Sequence, residues 1–390
     1  MPTESGRHFL QLPGPTNVPD RLLRAMDRPL IDHRGPAFRA LVRDLFDDLR
    51  WLFGADTHVF AFASSASGCW EAALVNTLSP GDRVLACVNG FFGAKWAAIA
   101  ERLGLEVRVI EGDWRRPVDE ELIERRLATD DERRIRAVLV VHNETSTGVT
   151  TDLRRVRAAL AAHDHPALLM VDAVSSLGVT TLRHDEWELD VTVSGSQKGL
   201  MLPPGLGLCA VSSRALEARR TAGLARAYWD WEDMLRANQE GMFPSTPATS
   251  LVFGLAESLA MLREEGLERV FARHARLAEA TRRAVTAWGL DIYCADPAAR
   301  SSAGTTVRTP SRVDVEAFRR EIRDRFQVTL GGGLGPLAGK VFRIGHLGDF
   351  NAPMLMATLA GVEMGLRVVG APISPHGIEA AMEYLIATSA

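Results

Sequence analysis

Seven short apolar runs, separated by stretches of helical character, constrain this chain more than any other feature. They are VFAFA (59–63), RVLACV (83–88), EVRVIE (106–111), RAVLVVH (136–142), ALLMVD (167–172), DVTVSG (190–195) and GLCAVS (207–212). Runs of this length that are mostly apolar read as strands buried on both faces. Between most of them lie SGCWEAALVNTLS, GAKWAAIAERLG, DEELIERRLA and DLRRVRAALAAHD, which carry helical patterns. This alternation predicts an α/β fold, a mostly parallel seven-stranded sheet flanked by helices. Ligands of such sheets bind beyond the carboxyl ends of the strands, so the residues just after these runs are the candidates for chemistry.

From about residue 247 the pattern changes to two long helices, SLVFGLAESLAMLREEG and LERVFARHARLAEATRRAVTAWG. Short strands around 304–309 and 341–345 follow, interleaved with helices at 314–325, 352–369 and 376–387. This predicts a smaller C-terminal α+β domain, giving an N-terminal arm (1–18), a large domain (19–255) and a small domain (256–390), with the arm returning to the small domain. PGPTNVP and GGGLGPLAG read as loops near the domain junctions.

The net charge is only -4 and no basic run stands out, which argues against nucleic acid or an anionic membrane as partner. No apolar stretch approaches the roughly 20 residues of a bilayer span. The start lacks a basic region followed by an apolar one, so no secretory signal is expected. Cys69, Cys87, Cys209 and Cys294 show no CxxC spacing and read as reduced, mostly buried thiols of a cytoplasmic protein. His163 and His165 form an HxH pair with no third ligand nearby, and read as a solvated helix end.

Of the 45 lysines and arginines, only Lys95, Lys198 and Lys340 are lysines. Arginine stays protonated, whereas a lysine amine can lose its proton and become a nucleophile. Lys198 follows the run DVTVSG and precedes the rigid turn PPG, so its side chain projects from the end of the sheet. A desolvated amine there can form a Schiff base with an aldehyde, although a lysine snorkelling from a loop fits the same position.

Four other features match what a phosphorylated pyridine aldehyde would need. Asp172 ends the strand ALLMVD, where a carboxylate can face the ring nitrogen or simply cap the following turn. SSASGCWEAAL passes from a strand into a helix, and the amides of Ser65, Ala66 and Ser67 form either an anion cup or an ordinary serine cap. Phe91 and Phe92 lie in the next strand-to-helix turn, as a stacking face or as core. Arg343 stands among apolar residues in VFRIGHLG, where its planar fork suits a carboxylate or a structural partner equally.

These residues sit in motifs that resemble the class V aminotransferases of pyridoxal phosphate fold type I, in the serine-glyoxylate and alanine-glyoxylate group. The resemblance runs nearly end to end, through PGPTNVP, DHRGPAF, SGCWEAALVNTLSPGD, HNETSTGV, VDAVSSLG, SGSQKGLMLPPGL, AYWDWEDML, EGLERVFARH and KVFRIGHLGDFN. It implies that Lys198 carries the cofactor aldehyde, with Gln197 beside it near the phosphate. It also implies that Asp172 faces the pyridine nitrogen and Thr145 the region of the ring oxygen. Ser65, Ala66 and Ser67 would hold the phosphate, Phe92 would stack, and Arg343 would bind the substrate carboxylate. Thr246 would reach the phosphate of the neighbouring subunit, implying a homodimer with shared sites.

The activity so implied is ping-pong transfer of an amino group from a small amino acid, L-serine first, to glyoxylate, giving glycine and hydroxypyruvate. Alanine, aspartate or ureidoglycine as donor, or pyruvate as acceptor, would use the same carboxylate clamp. A cysteine desulfurase would need a thiol in QVTLGGGLGPLAGK, which has none. An NAD-dependent oxidoreductase would need its glycine loop in an early βαβ unit, whereas GGGLGPLAG comes late.

Overall fold

The computed structural model describes residues 6–56 and 58–389, so the first five residues of the expected arm lie outside it. In chain order its strands are β1 (Phe9–Gln11), β2 (His58–Ala63), β3 (Arg83–Val88), β4 (Glu106–Glu111), β5 (Ile135–Val141), β6 (Asn143–Glu144) and β7 (Val149–Thr150). They continue as β8 (Leu168–Asp172), β9 (Val191–Gly195), β10 (Leu206–Val211), β11 (Asp291–Ile292), β12 (Gly304–Arg308), β13 (Val328–Gly332) and β14 (Val341–Gly345).

The seven apolar runs form one sheet in the order β2-β10-β9-β8-β5-β3-β4. Only β10 runs against its neighbours, pairing antiparallel with both β2 and β9. Alternate side chains of each strand enter different cores. Val138 and Val140 of β5 pack on one face, and Ala137 and Leu139 on the other. Burying each such side chain stabilises by roughly 1.5–3 kcal/mol, so two covered faces fix the sheet as a layer between helices.

The strand at 106–111 departs from the expectation of burial on both faces, because β4 is the edge of the sheet. Arg108 and Val109 there are exposed, and Glu106 pairs with Arg108 and Arg83. Charge on an edge strand discourages pairing with another chain.

A second sheet has the order β1-β13-β14-β12-β11. β1 joins it in parallel with β13, so the N-terminal segment crosses to the C-terminal part of the chain, as expected. The stretch GGGLGPLAG is only partly a loop: Gly331 and Gly332 lie in β13, opposite Arg343 and Phe342. Their missing side chains make room, since a Cβ on Gly332 would lie 2.6 Å from Arg319 Nη1 and one on Gly331 3.1 Å from Pro13 Cδ.

Residue 255, the expected end of the large domain, lies inside the helix Thr249–Glu265. The apolar residues exchange the first core for that of the second sheet between Val270 and Leu277, within the helix Leu267–Ala287.

His165 also differs from the expected solvated helix end. It is buried, with Nδ1 accepting from the Ala167 N–H at 3.2 Å and Nε2 3.3 Å from Asp130. Cys69, Cys87, Cys209 and Cys294 are free and buried. No helix among the described residues is long and apolar enough to cross a membrane.

Candidate active site

The carboxyl ends of β5, β8 and β9 open onto a cavity of about 330 Å³, large enough for a small cofactor. Lining it are Ser65, Ala66, Ser67, Phe92, Thr145, Asp172, Gln197 and Lys198, eight of the residues singled out from sequence. Their segments lie far apart in the chain. The parallel sheet brings them to one rim because every strand but β10 ends on the same side.

Lys198 stands in the turn after β9. Ser196 fixes that turn, donating from Oγ to Pro203 O at 2.8 Å and accepting at the same atom from the Leu206 N–H at 3.2 Å. The Lys198 side chain is buried and its ammonium donates to Pro13 O. Burial pushes the amine down to about 8, Arg343 adds to the shift, and Asp172 and Glu144 oppose it. An amine so placed becomes largely neutral once the pH rises above about 8, the state a nucleophile or general base requires.

The segment that receives Lys198 is the PGPT turn read from sequence only as a loop. The Thr16 N–H donates to Gln197 O at 3.2 Å, docking this turn on the lysine. Gly14 has φ +96°, and a Cβ there would lie 2.2 Å from Lys198 Cδ. Glycine is required at 14 both by conformation and by the approaching lysine stem.

Asp172, at the end of β8, is buried and accepts from the Val174 N–H at 2.7 Å. It therefore caps the following turn and also faces the cavity. Burial pushes its carboxyl up to about 7, reinforced by Glu144 and opposed by the Val174 N–H and Lys198. Thr145 is held by its hydroxyl donating to Ser175 Oγ at 2.8 Å. Gln197 Oε1 is buried and has no partner.

Ser65 caps the helix Ala66–Thr77 in an extended conformation with no side-chain cap hydrogen bond. The helix start therefore presents amides and the positive end of its dipole to the cavity. Phe92 belongs to the first turn of the helix Phe91–Arg102, its ring centroid 6.5 Å from that of Trp70.

Glu144 holds that helix start, and sequence reasoning missed it. It is fully buried on β6 and accepts from the Phe92 and Gly93 N–H groups at 3.0 and 3.2 Å. It also accepts from Ser146 N–H and Oγ at 3.0 and 2.6 Å. Burial raises its pKa against these hydrogen bonds. Gly90 admits it, since a Cβ at 90 would meet Glu144 Cγ at 2.1 Å. An acid in HNETSTG directly after an apolar strand was the available signal.

Arg343 on β14 approaches from the second sheet. Its Nε donates to Gly332 O at 2.8 Å and Nη1 to Thr145 O at 3.1 Å. Burial pushes its guanidinium down to about 10, and among the described residues it forms no ion pair with a carboxylate. Through Thr145 this cation reaches the cavity lining, and its hydrogen-bond partners are two backbone carbonyls. Thr246 is not brought to this cavity. It lines a separate pocket with Phe62, Tyr228 and Phe243.

A buried lysine at the rim of a fold-type-I sheet, facing an acid, a helix start and an aromatic ring, defines a pyridoxal phosphate-dependent enzyme. The family model described as Aminotransferase class-V matches residues 8–333. The chain belongs to the class-V aminotransferases and is a transaminase. It is 48% identical over 387 residues to the serine-glyoxylate aminotransferase of Methylorubrum extorquens, covering 97% of this chain and 96% of that one. It is 42% identical to the L-aspartate-glyoxylate aminotransferase of Paracoccus denitrificans over 381 residues, 97% of this chain and 96% of that one. The crystal structure of ureidoglycine-glyoxylate aminotransferase from Bacillus subtilis matches with a TM-score of 0.91 at 29% identity, covering 99% of this chain and 100% of that one.

Proposed function

We propose that this transaminase moves the amino group of L-serine to glyoxylate, giving hydroxypyruvate and glycine by a ping-pong mechanism in a homodimer. The observation that carries the reading is a buried lysine amine in the cavity that Thr145 lines, with Arg343, which among the described residues pairs with no carboxylate, bonded to Thr145 O. One group suits proton transfer at an amino acid Cα and the other suits the carboxylate on that same carbon. The relatives that act on glyoxylate support the acceptor, and serine as donor follows those named for it.

The cavity fits pyridoxal phosphate. Gln197 has a buried polar atom without a partner, the helix start at Ser65, Ala66 and Ser67 is uncapped by side chains, and Phe92 offers a ring face. When bound, the cofactor supplies an electron-withdrawing ring that stores the electron pair released from the α C–H bond.

The chain's own residues do the rest. Arg343 fixes the substrate carboxylate through the guanidinium edge not used on Gly332 and Thr145. That contact sets which Cα bond is directed for cleavage, so much of the barrier is removed by orientation. Lys198 Nζ, neutral above about pH 8, takes the Cα proton and returns it. Asp172, ionised above about pH 7, is the carboxylate that would face the ring nitrogen, and Glu144 holds the helix start that carries Phe92. Thr246, outside this cavity, is assigned to the partner subunit's phosphate.

A donor panel tests the substrate. With glyoxylate as acceptor, serine is expected to give the highest kcat/KM, ahead of alanine and aspartate. A clear preference for aspartate would move the chain to the other activity among its relatives.

A further inference from the structure

Two of the chain's three lysines line the same cavity. Lys198 is accounted for above, and Lys95 is not. Lys95 is the fifth residue of the helix Phe91–Arg102, three residues after Phe92, so the two side chains share a helix face. The Lys95 ammonium donates to Ser67 Oγ at 3.4 Å and lies 5.6 Å from the centroid of the Trp70 ring. Ser67 belongs to the helix start that forms the anion cup. Lys95 and Lys198 are the only cationic side chains lining the cavity among the described residues. With Lys198 committed to the aldehyde, a phosphate dianion at the cup would meet, among the described residues, backbone amides, Ser65, Ser67, Gln197 and a helix dipole, but no other cation.

We propose that Lys95 is a phosphate ligand, a side-chain cation at the cup formed by Ser65, Ala66 and Ser67 that binds the phosphate monoester of the cofactor. This rests on the proposed cofactor site and deepens it. A compact ammonium with three rotatable donors can bridge Ser67 and a phosphate oxygen while lying over Trp70, which the broader planar guanidinium matches less well. In a chain that otherwise writes its cations almost wholly as arginine, that difference gives lysine a reason to stand at 95.

The test compares apoprotein of the wild type, Lys95→Met and Lys95→Gln for binding of pyridoxal phosphate and of pyridoxal, which carries the same aldehyde but no phosphate. Binding is read from the visible absorbance of the lysine-bound chromophore. Both variants are expected to bind pyridoxal phosphate about 10-fold more weakly, as the loss of one hydrogen bond to a charged group predicts, and to bind pyridoxal as the wild type does. The wild-type affinity for pyridoxal phosphate should fall more steeply with added salt than that of the variants. Unchanged affinity for pyridoxal phosphate in both variants overturns the proposal. Equal weakening for both ligands also overturns it, because Lys95 would then act through packing on Trp70. A wild-type protein that binds neither ligand at Lys198 would instead refute the cofactor site itself, a distinguishable outcome.

Discussion

Two buried polar clusters show how a structural site and a working site differ. Behind the second sheet, His274 donates from Nδ1 to Val270 O at 2.7 Å and accepts at Nε2 from the Gly348 N–H at 3.0 Å. His346 meets Ser302 O through Nδ1 at 2.9 Å and Thr305 Oγ1 through Nε2 at 3.0 Å. Both rings use every polar atom within the fold, and burial pushes them down to about 4 and about 3. In and beside the cavity the groups are less deeply buried and incompletely matched. Among the described residues Gln197 Oε1 has no partner, Arg343 has no carboxylate, and Lys198 has only a carbonyl. Buried polar groups that serve the fold are satisfied by it, whereas groups that serve a ligand keep an open valence.

The sharpest way to break this contrast is to remove one group from each cluster. Lys198→Ala is expected to lower turnover of serine and glyoxylate by about 10⁴-fold, within the usual range for a proton-transfer group, while circular dichroism still reports a folded chain. Wild-type turnover in that variant would place the chemistry elsewhere.

Acid distinguishes the clusters next. The folded pKa values of His274 and His346 lie below the usual 6.5, so the unfolded chain binds more protons between 6.5 and about 4. Stability is therefore fully present above pH 6.5 and is lost as pH falls toward 4, by up to about 3 kcal/mol per histidine. Denaturant midpoints across that range measure it, and a His274→Leu, His346→Leu double variant should lose part of the dependence and keep the part due to His142 and His184, which burial also pushes down to about 4.

Arg343→Gln should raise KM for the amino donor by about 100-fold, as expected for a charge-assisted bidentate contact, with pyridoxal phosphate binding unchanged. His274→Leu should have the opposite signature. It leaves the Gly348 N–H without a buried partner, at a cost of about 2 kcal/mol in denaturant unfolding, with KM unmoved. The smallest effect is kinetic. Capture of pyridoxal phosphate by the apoprotein should speed up as pH rises through about 8, where the Lys198 amine loses its proton. The rate is followed by visible absorbance.

Much of the cavity was legible in the sequence for one physical reason. Parallel strands buried on both faces must be apolar runs, and their carboxyl ends must converge, so Asp172 and Lys198 could be placed beside one another from spacing alone. What could not be read are contacts between segments that no local pattern joins. Gly14 lies against Lys198 because β1 crosses to the second sheet, and nothing in PGPT reports that crossing. Glu144 clips the helix that carries Phe92 and Lys95, and although an acid just after an apolar strand marks the position, nothing local reports which helix it meets. Gly331 and Gly332 looked like loop residues because a strand that yields space to two arginines lacks the apolar signature of one that fills it.

The central claim is that one amine among three lysines bonds to the cofactor. Borohydride reduction of the protein loaded with pyridoxal phosphate, followed by peptide mapping, tests it directly. The label is predicted on Lys198 alone, and a label on Lys95 or Lys340, or none at all, would contradict the account.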